Sequence, residues 1–181
     1  MEERWGLDIT IDLSNNMRLN VDEKLLNFIK KCRYDFGVIF PSSKMKGLYE
    51  LLVEEEDILI VKVTREEEGV GVCAGAYLAG KKPFLFIQST GLGNSFNAIA
   101  SLLKTYQIPI LILASYRGYY KETIPAQVPL GEAIPGMLDS MKIPFIIVDD
   151  NLESLEVFSE KMYEKGESHV VLFSPGLYEN E

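Results

Sequence analysis

From residue 36 onward, short β-branched apolar runs alternate with longer stretches of helical periodicity, the pattern of strands separated by helices. Residues 36–40 (FGVIF) read as a strand stopped by Pro41, and 44–54 as a helix. Residues 58–63 (ILIVKV) form a second strand, followed by a helix over 66–79 that is rich in Gly and Ala. A third strand over 83–88 (PFLFIQ) leads into a glycine loop and a helix over 94–105, with Asn94 placed to cap it. A fourth strand occupies 109–114, and a polar stretch then leads to a helix near 132–141. Strands at 144–148 and 170–173 enclose a helix over 153–165. Runs apolar at every position belong to strands buried on both faces, so the expected fold class is α/β, a single mostly parallel sheet flanked by helices. Residues 21–33 read as a leading amphipathic helix, and residues 1–19, which contain LDITIDL, as an N-terminal arm or an extra strand. Residues 20–181 are expected to form one domain.

Composition narrows the partners. The 181 residues are 47% hydrophobic and 25% charged, which excludes a disordered or fibrous chain. Acidic side chains number 27 against 18 basic ones, a net charge of −9, which argues against binding nucleic acid or an anionic membrane. No apolar run approaches the roughly 20 residues that span a bilayer, and the opening Met-Glu-Glu-Arg has no signal-peptide pattern. Cys32 and Cys73 are too few for a disulfide framework or a metal cluster, so a reduced cytoplasmic setting is expected.

In an open parallel sheet, ligands collect outside the carboxyl ends of the strands. Three segments there carry chemistry. The first is Arg65-Glu66-Glu67-Glu68-Gly69-Val70-Gly71. Acidic residues in a first helical turn complement the helix dipole, which suffices for Glu67 and Glu68, whereas Glu66 sits nearest the strand end. Small residues at Gly71, Ala74, Gly75 and Ala79 permit close approach of another backbone, including one from a second subunit. The string GVGVCA formally matches the dinucleotide fingerprint G-x-G-x-x-A. Three carboxylates before the glycines would repel a pyrophosphate, and no acid ends the next strand, so that reading is rejected. The second segment, QSTGLGNSFN over 88–97, brings backbone amides near a ligand but lacks the Lys-Ser/Thr of a P-loop. The third, 115–131, gathers Arg117, Lys121 and three tyrosines in an acidic chain; it reads either as a solvated loop or as an anion pocket built on Arg117. His169 is the only histidine and precedes an apolar strand, and Cys73 lies among small residues as packing.

Together these segments resemble the pyrimidine-binding domain of the thiamine diphosphate-dependent 2-oxoacid decarboxylases. The resemblance is carried by TREEEGVGVCAGAYLAGKK over 64–82, STGLGNSFNAIAS over 89–101, Tyr116-Arg117-Gly118 and YKETIPAQVPLG over 120–131. It covers residues 35–148 in order, and is strongest to the alpha subunits that act on sulfopyruvate in the archaeal route to coenzyme M. It implies the thiamine diphosphate-binding fold and gives Glu66 the role of the carboxylate that hydrogen-bonds and activates the cofactor's pyrimidine ring. By the same resemblance Pro41, Gly91, Leu92, Gly93 and Asn94 join Glu66 around the cofactor. Ser89, Thr90, Tyr116, Arg117, Lys121 and Gln127 face the substrate, and no residue of this chain is a metal ligand. Such enzymes also need a Gly-Asp-Gly diphosphate domain, which is absent from this sequence. The implied partner is therefore a beta subunit in a hetero-oligomer, bringing the diphosphate site and Mg²⁺; this chain alone is expected to be inactive. Two motifs depart from the family's pattern: Ser89-Thr90 stands where Asn-Ser is usual, and Tyr116 where His is usual. They keep open phosphonopyruvate or another 2-oxoacid as substrate, and a non-catalytic assembly or regulatory role.

Overall fold

A computed structural model describes residues 20–149 and 152–178. The proposed arm or extra strand at 1–19 lies outside the described residues. Six strands, β1 (Phe36–Ile39), β2 (Leu59–Lys62), β3 (Pro83–Gln88), β4 (Leu111–Ser115), β5 (Phe145–Val148) and β6 (His169–Phe173), make one sheet in the order β2-β1-β3-β4-β6-β5. Every neighbouring pair is parallel, with Phe36 opposite both Leu59 and Pro83, Phe84 opposite Leu111, and Leu111 opposite His169. The helices are α1 (Val21–Lys31), α2 (Lys46–Glu54), α3 (Glu66–Leu78), α4 (Ser89–Ala98), α5 (Val128–Ser140) and α6 (Leu155–Lys165).

The period of two along each strand sorts the core into two layers. Ile39, Phe84, Phe86, Leu111, Leu113, Val171 and Phe173 face α1, α2 and α6. Val38, Leu85, Ile87, Ile112, Ala114, Val170 and Leu172 face α3, α4 and α5. The inner strands β3, β4 and β6 are buried almost throughout, while edge strand β2 leaves Leu59 and Lys62 exposed. α1 starts at a reciprocal cap, in which Asn20 Oδ1 accepts from Glu23 N at 2.8 Å and Glu23 Oε2 accepts from Asn20 N at 3.0 Å.

The structure departs from the sequence reading after β3. There is no glycine loop: α4 begins at Ser89, directly after Gln88, and Asn94 is an exposed residue inside the helix rather than its N-cap. Beyond Ala98 the helix continues as a π-helical segment, Ile99–Lys104. α5 likewise starts at Val128, ahead of the expected 132, with Pro129 in its first turn, where a missing N–H costs nothing.

Candidate active site

The chain steps from β1 outward to β2 and returns to β3 on the other side of β1, so a topological switch point lies between β1 and β3. The residues leaving these strands and β4 are tied together by buried serines. Ser42 and Ser115 share a hydrogen bond of 2.7 Å between their hydroxyls, and Ser89 Oγ accepts from Arg117 N at 2.9 Å. Ser42, Ser89 and Ser115 are all buried, which fixes the carboxyl edge of the sheet.

Three consecutive glutamates open α3, and the 100° step of the helix sends them different ways. Glu67 Oε1 accepts from Arg65 Nε at 2.6 Å, and with its own backbone N–H this holds the Glu67 carboxyl below its usual range. Glu68 Oε2 accepts from Thr64 Oγ1 at 3.0 Å and Thr64 N at 3.3 Å, a local tie at the start of the helix. Glu66 alone turns inward, 8% exposed, and among the described residues its carboxylate accepts no hydrogen bond. It lies on the first turn of α4, where a methyl group on Gly91 would overlap Glu66 Cγ, Cδ and Oε1. A glycine inside a helix costs about 1 kcal/mol relative to alanine. Here it makes room for a carboxylate. Gly93, one turn face away, admits Leu130 of α5, whose Cδ2 would stand 2.7 Å from an added Cβ.

The other sequence-derived positions divide into two groups. Thr90 Oγ1, beside Gly91, and Gln127 Oε1, at the entry to α5, are buried and have no hydrogen-bond partner. Pro41 is exposed beyond β1, and Lys121 is exposed with its ammonium 4.8 Å from the Tyr120 ring centre. Leu92 is fully buried in the core between α4 and the sheet. Tyr116 is 3% exposed; its hydroxyl donates to the Gly131 carbonyl at 3.0 Å and its ring stacks on Tyr119 with centroids 4.5 Å apart. That carbonyl needs an outside donor, because Pro135, four residues on in α5, has no N–H to give it. Burial pushes the Tyr116 phenol above its ordinary pKa. Arg117 is buried and engaged by Glu122, a residue the sequence reading passed over: Arg117 Nε donates to Glu122 Oε2 at 2.9 Å and Nη2 to Oε1 at 3.2 Å. The only signal for that pair was an acid five residues after the arginine in a loop.

The residues that suit a cofactor are thus Glu66, Gly91, Thr90 and Gln127. Glu66 offers an uncommitted carboxylate against Gly91, with the unpartnered Thr90 Oγ1 next to that glycine in the chain and Gln127 Oε1 a further unpartnered polar atom at the entry to α5, a donor and acceptor set that fits an aminopyrimidine with ring and amino nitrogens to satisfy. Among the described residues, no group of three or more His, Cys, Asp or Glu side chains could hold a metal ion, and no helix is long and apolar enough to cross a membrane.

Comparison with known proteins agrees with the architecture. The solved 2-oxoglutarate:ferredoxin oxidoreductase from Magnetococcus marinus superposes with a TM-score of 0.65 over 88% of this chain and 29% of that one, at 16% identity. With its all-parallel sheet between two helical layers, the chain shares the α/β fold of that oxidoreductase. No protein-family model matches it. Among curated proteins, the sulfopyruvate decarboxylase subunit alpha of Methanocaldococcus jannaschii is 49% identical over 120 residues, 66% of this chain and 71% of that one. The sulfopyruvate decarboxylase of Methanosarcina acetivorans is 43% identical over 163 residues, 89% of this chain; the alignment spans only 42% of that longer protein. The chain belongs to the sulfopyruvate decarboxylase alpha-subunit family.

Proposed function

We propose that this chain is the pyrimidine-binding half of a thiamine diphosphate-dependent decarboxylase that converts sulfopyruvate to sulfoacetaldehyde and carbon dioxide. The observation that carries the reading is Glu66, buried and without a hydrogen bond among the described residues, seated against Gly91 beside the switch point. When bound, thiamine diphosphate supplies the carbon nucleophile and the electron sink that loss of carbon dioxide requires. Glu66 holds a proton or a hydrogen bond at the pyrimidine edge, where burial makes that bond stronger than it would be in water. Gly91, by having no side chain, leaves the space on α4 that the Glu66 carboxylate occupies. Thr90 and Gln127 present the polar atoms that orient the ring system or the substrate, and the serine ties hold the three strand ends in register.

The partner is a beta subunit carrying the diphosphate-binding domain and Mg²⁺. Its existence is supported by the subunit names of the relatives and by the outer face of α3. Nothing stands within 4 Å of a Cβ placed on Gly71 or Gly75, and Leu78 on the same side is 74% exposed. A helix with such an apolar outer face is normally covered. Cytoplasm suits the assembly, since Cys32 and Cys73 are free thiols.

The test is a pair of isosteric substitutions in the assembled enzyme. Glu66→Gln keeps the fold and loses about 10²–10⁴-fold in turnover, the range for a positioned acid–base. Glu68→Gln, which only loosens the tie to Thr64, retains near-normal turnover. Equal losses in both variants would defeat the assignment of Glu66.

A further inference from the structure

The loop between β4 and α5 is closed by a side-chain clasp. Arg117 and Glu122 are 5% and 3% exposed at their side chains and meet in a two-pronged ion pair. The Glu122 carboxylate also accepts from Gly118 N at 3.1 Å, Thr123 N at 3.0 Å and Ile124 N at 3.1 Å. The remaining guanidinium nitrogen, Nη1, reaches Ser43 Oγ at 3.4 Å, in the turn that follows β1. Gly118 is left-handed, at φ +73, and packs backbone to backbone on Gln127 and Gly131 with no space for a side chain. A continuous path therefore runs from Glu122 through Gly118 to the backbone at Gln127, whose Oε1 is buried and unpartnered.

We propose that Glu122 is a positioning residue: it fills the two-pronged edge of Arg117, fixes the 116–127 loop between β4 and α5 against the turn after β1, and thereby places Gln127 in the site. Arg117 is then part of the loop's frame and not the receptor of the substrate's anionic group. A substrate anion that displaced Glu122 would have to replace five donated hydrogen bonds, three from backbone N–H groups that would otherwise be left unmet, and a single small anion has no such reach. What Gln127 contacts rests on the functional reading above; the clasp itself does not.

The experiment compares wild type, Glu122→Gln and Glu122→Asp in the full chain co-expressed with a diphosphate-domain subunit, with two readouts. In limited trypsin digestion, cleavage after Arg117 and Lys121 becomes faster by about 10-fold or more in Glu122→Gln, because the loop opens more often, and Glu122→Asp lies between. In turnover, sulfopyruvate and pyruvate, which lacks the anionic substituent, fall by the same factor, so their kcat/KM ratio is unchanged, and Glu122→Asp recovers part of the loss for both. Unchanged trypsin cleavage would overturn the clasp. A selective fall in KM for sulfopyruvate in Glu122→Gln would show a freed Arg117 reading the anion and would overturn the positioning role. Should Glu122→Gln fail to fold, Glu122→Asp carries the same two readouts. A wild-type pair that turns over neither acid defeats the functional reading alone, and the trypsin comparison still decides the clasp.

Discussion

The hydrogen bond from Tyr116 to Gly131 gives a prediction that depends on no assumption about function. Tyr116→Phe removes only the hydroxyl and keeps the ring stacked on Tyr119. The Gly131 carbonyl then loses the Tyr116 donor at 3.0 Å and has no helical substitute, because residue 135 is proline. Leaving a buried carbonyl unmet costs about 1–3 kcal/mol, or roughly 2–12 °C in Tm for a chain of this size at about 2–4 °C per kcal/mol. Pro135→Ala restores an N–H at that position in the helix, so in its background Tyr116→Phe costs less than about 1 kcal/mol. The cycle of four proteins, unfolded by urea with far-ultraviolet circular dichroism as the signal, yields a coupling of about 1 kcal/mol or more between residues 116 and 135. Equal costs for Tyr116→Phe in both backgrounds would refute the reasoning. It would also remove the explanation for a tyrosine where the family usually has histidine.

Three further outcomes follow from the geometry. Gly91→Ala gains about 1 kcal/mol in helix propensity but drives a methyl group into Glu66, costing about 1–3 kcal/mol; the assembled enzyme loses turnover as Glu66→Gln does, whereas Gly71→Ala, facing open space, raises the Tm of the isolated chain. Lys142 holds a left-handed φ of +53 without being glycine, so Lys142→Gly stabilises the chain by about 1 kcal/mol in thermal melts. Arg117, with the Gly118 and Ile124 N–H groups, holds the Glu122 carboxyl down to about 2 from an ordinary 4.5. A depressed carboxyl contributes stability that is complete above 4.5 and is lost as pH falls toward about 2. Acid titration of Glu122→Gln therefore shows a smaller loss over that window than wild type.

Strand positions were legible because burial on both faces writes itself as unbroken apolar runs, and all six strands fall within a residue or two of the expected limits. The entry to α4 was not legible, for a physical reason. Gly91 and Gly93 weaken a helix locally and read as a loop, yet each glycine is required by a neighbour distant in sequence, Glu66 for one and Leu130 for the other. Tertiary contact overrode propensity. The sequence sets Glu66 apart only by its place nearest the strand end; its inward turn against Gly91, and the local ties of Glu67 to Arg65 and of Glu68 to Thr64, exist only once α3 is folded and packed on α4. In the sequence Arg117 reads as part of a solvated loop or of an anion pocket, and its pairing with Glu122 is not legible, because a five-residue separation within a loop has no fixed geometry until the loop is folded. Tyr116 reads as a departure from a motif, and its purpose emerges only when Pro135 is seen to leave the Gly131 carbonyl without a donor.

The central claim is a half-site completed by another chain. Its most direct test measures carbon dioxide and aldehyde release from sulfopyruvate, with thiamine diphosphate and Mg²⁺ present, for this chain alone and for this chain co-expressed with a diphosphate-domain subunit. The account predicts release from the pair and none from the chain alone. A pair that assembles and binds the cofactor yet releases neither product from sulfopyruvate would contradict it.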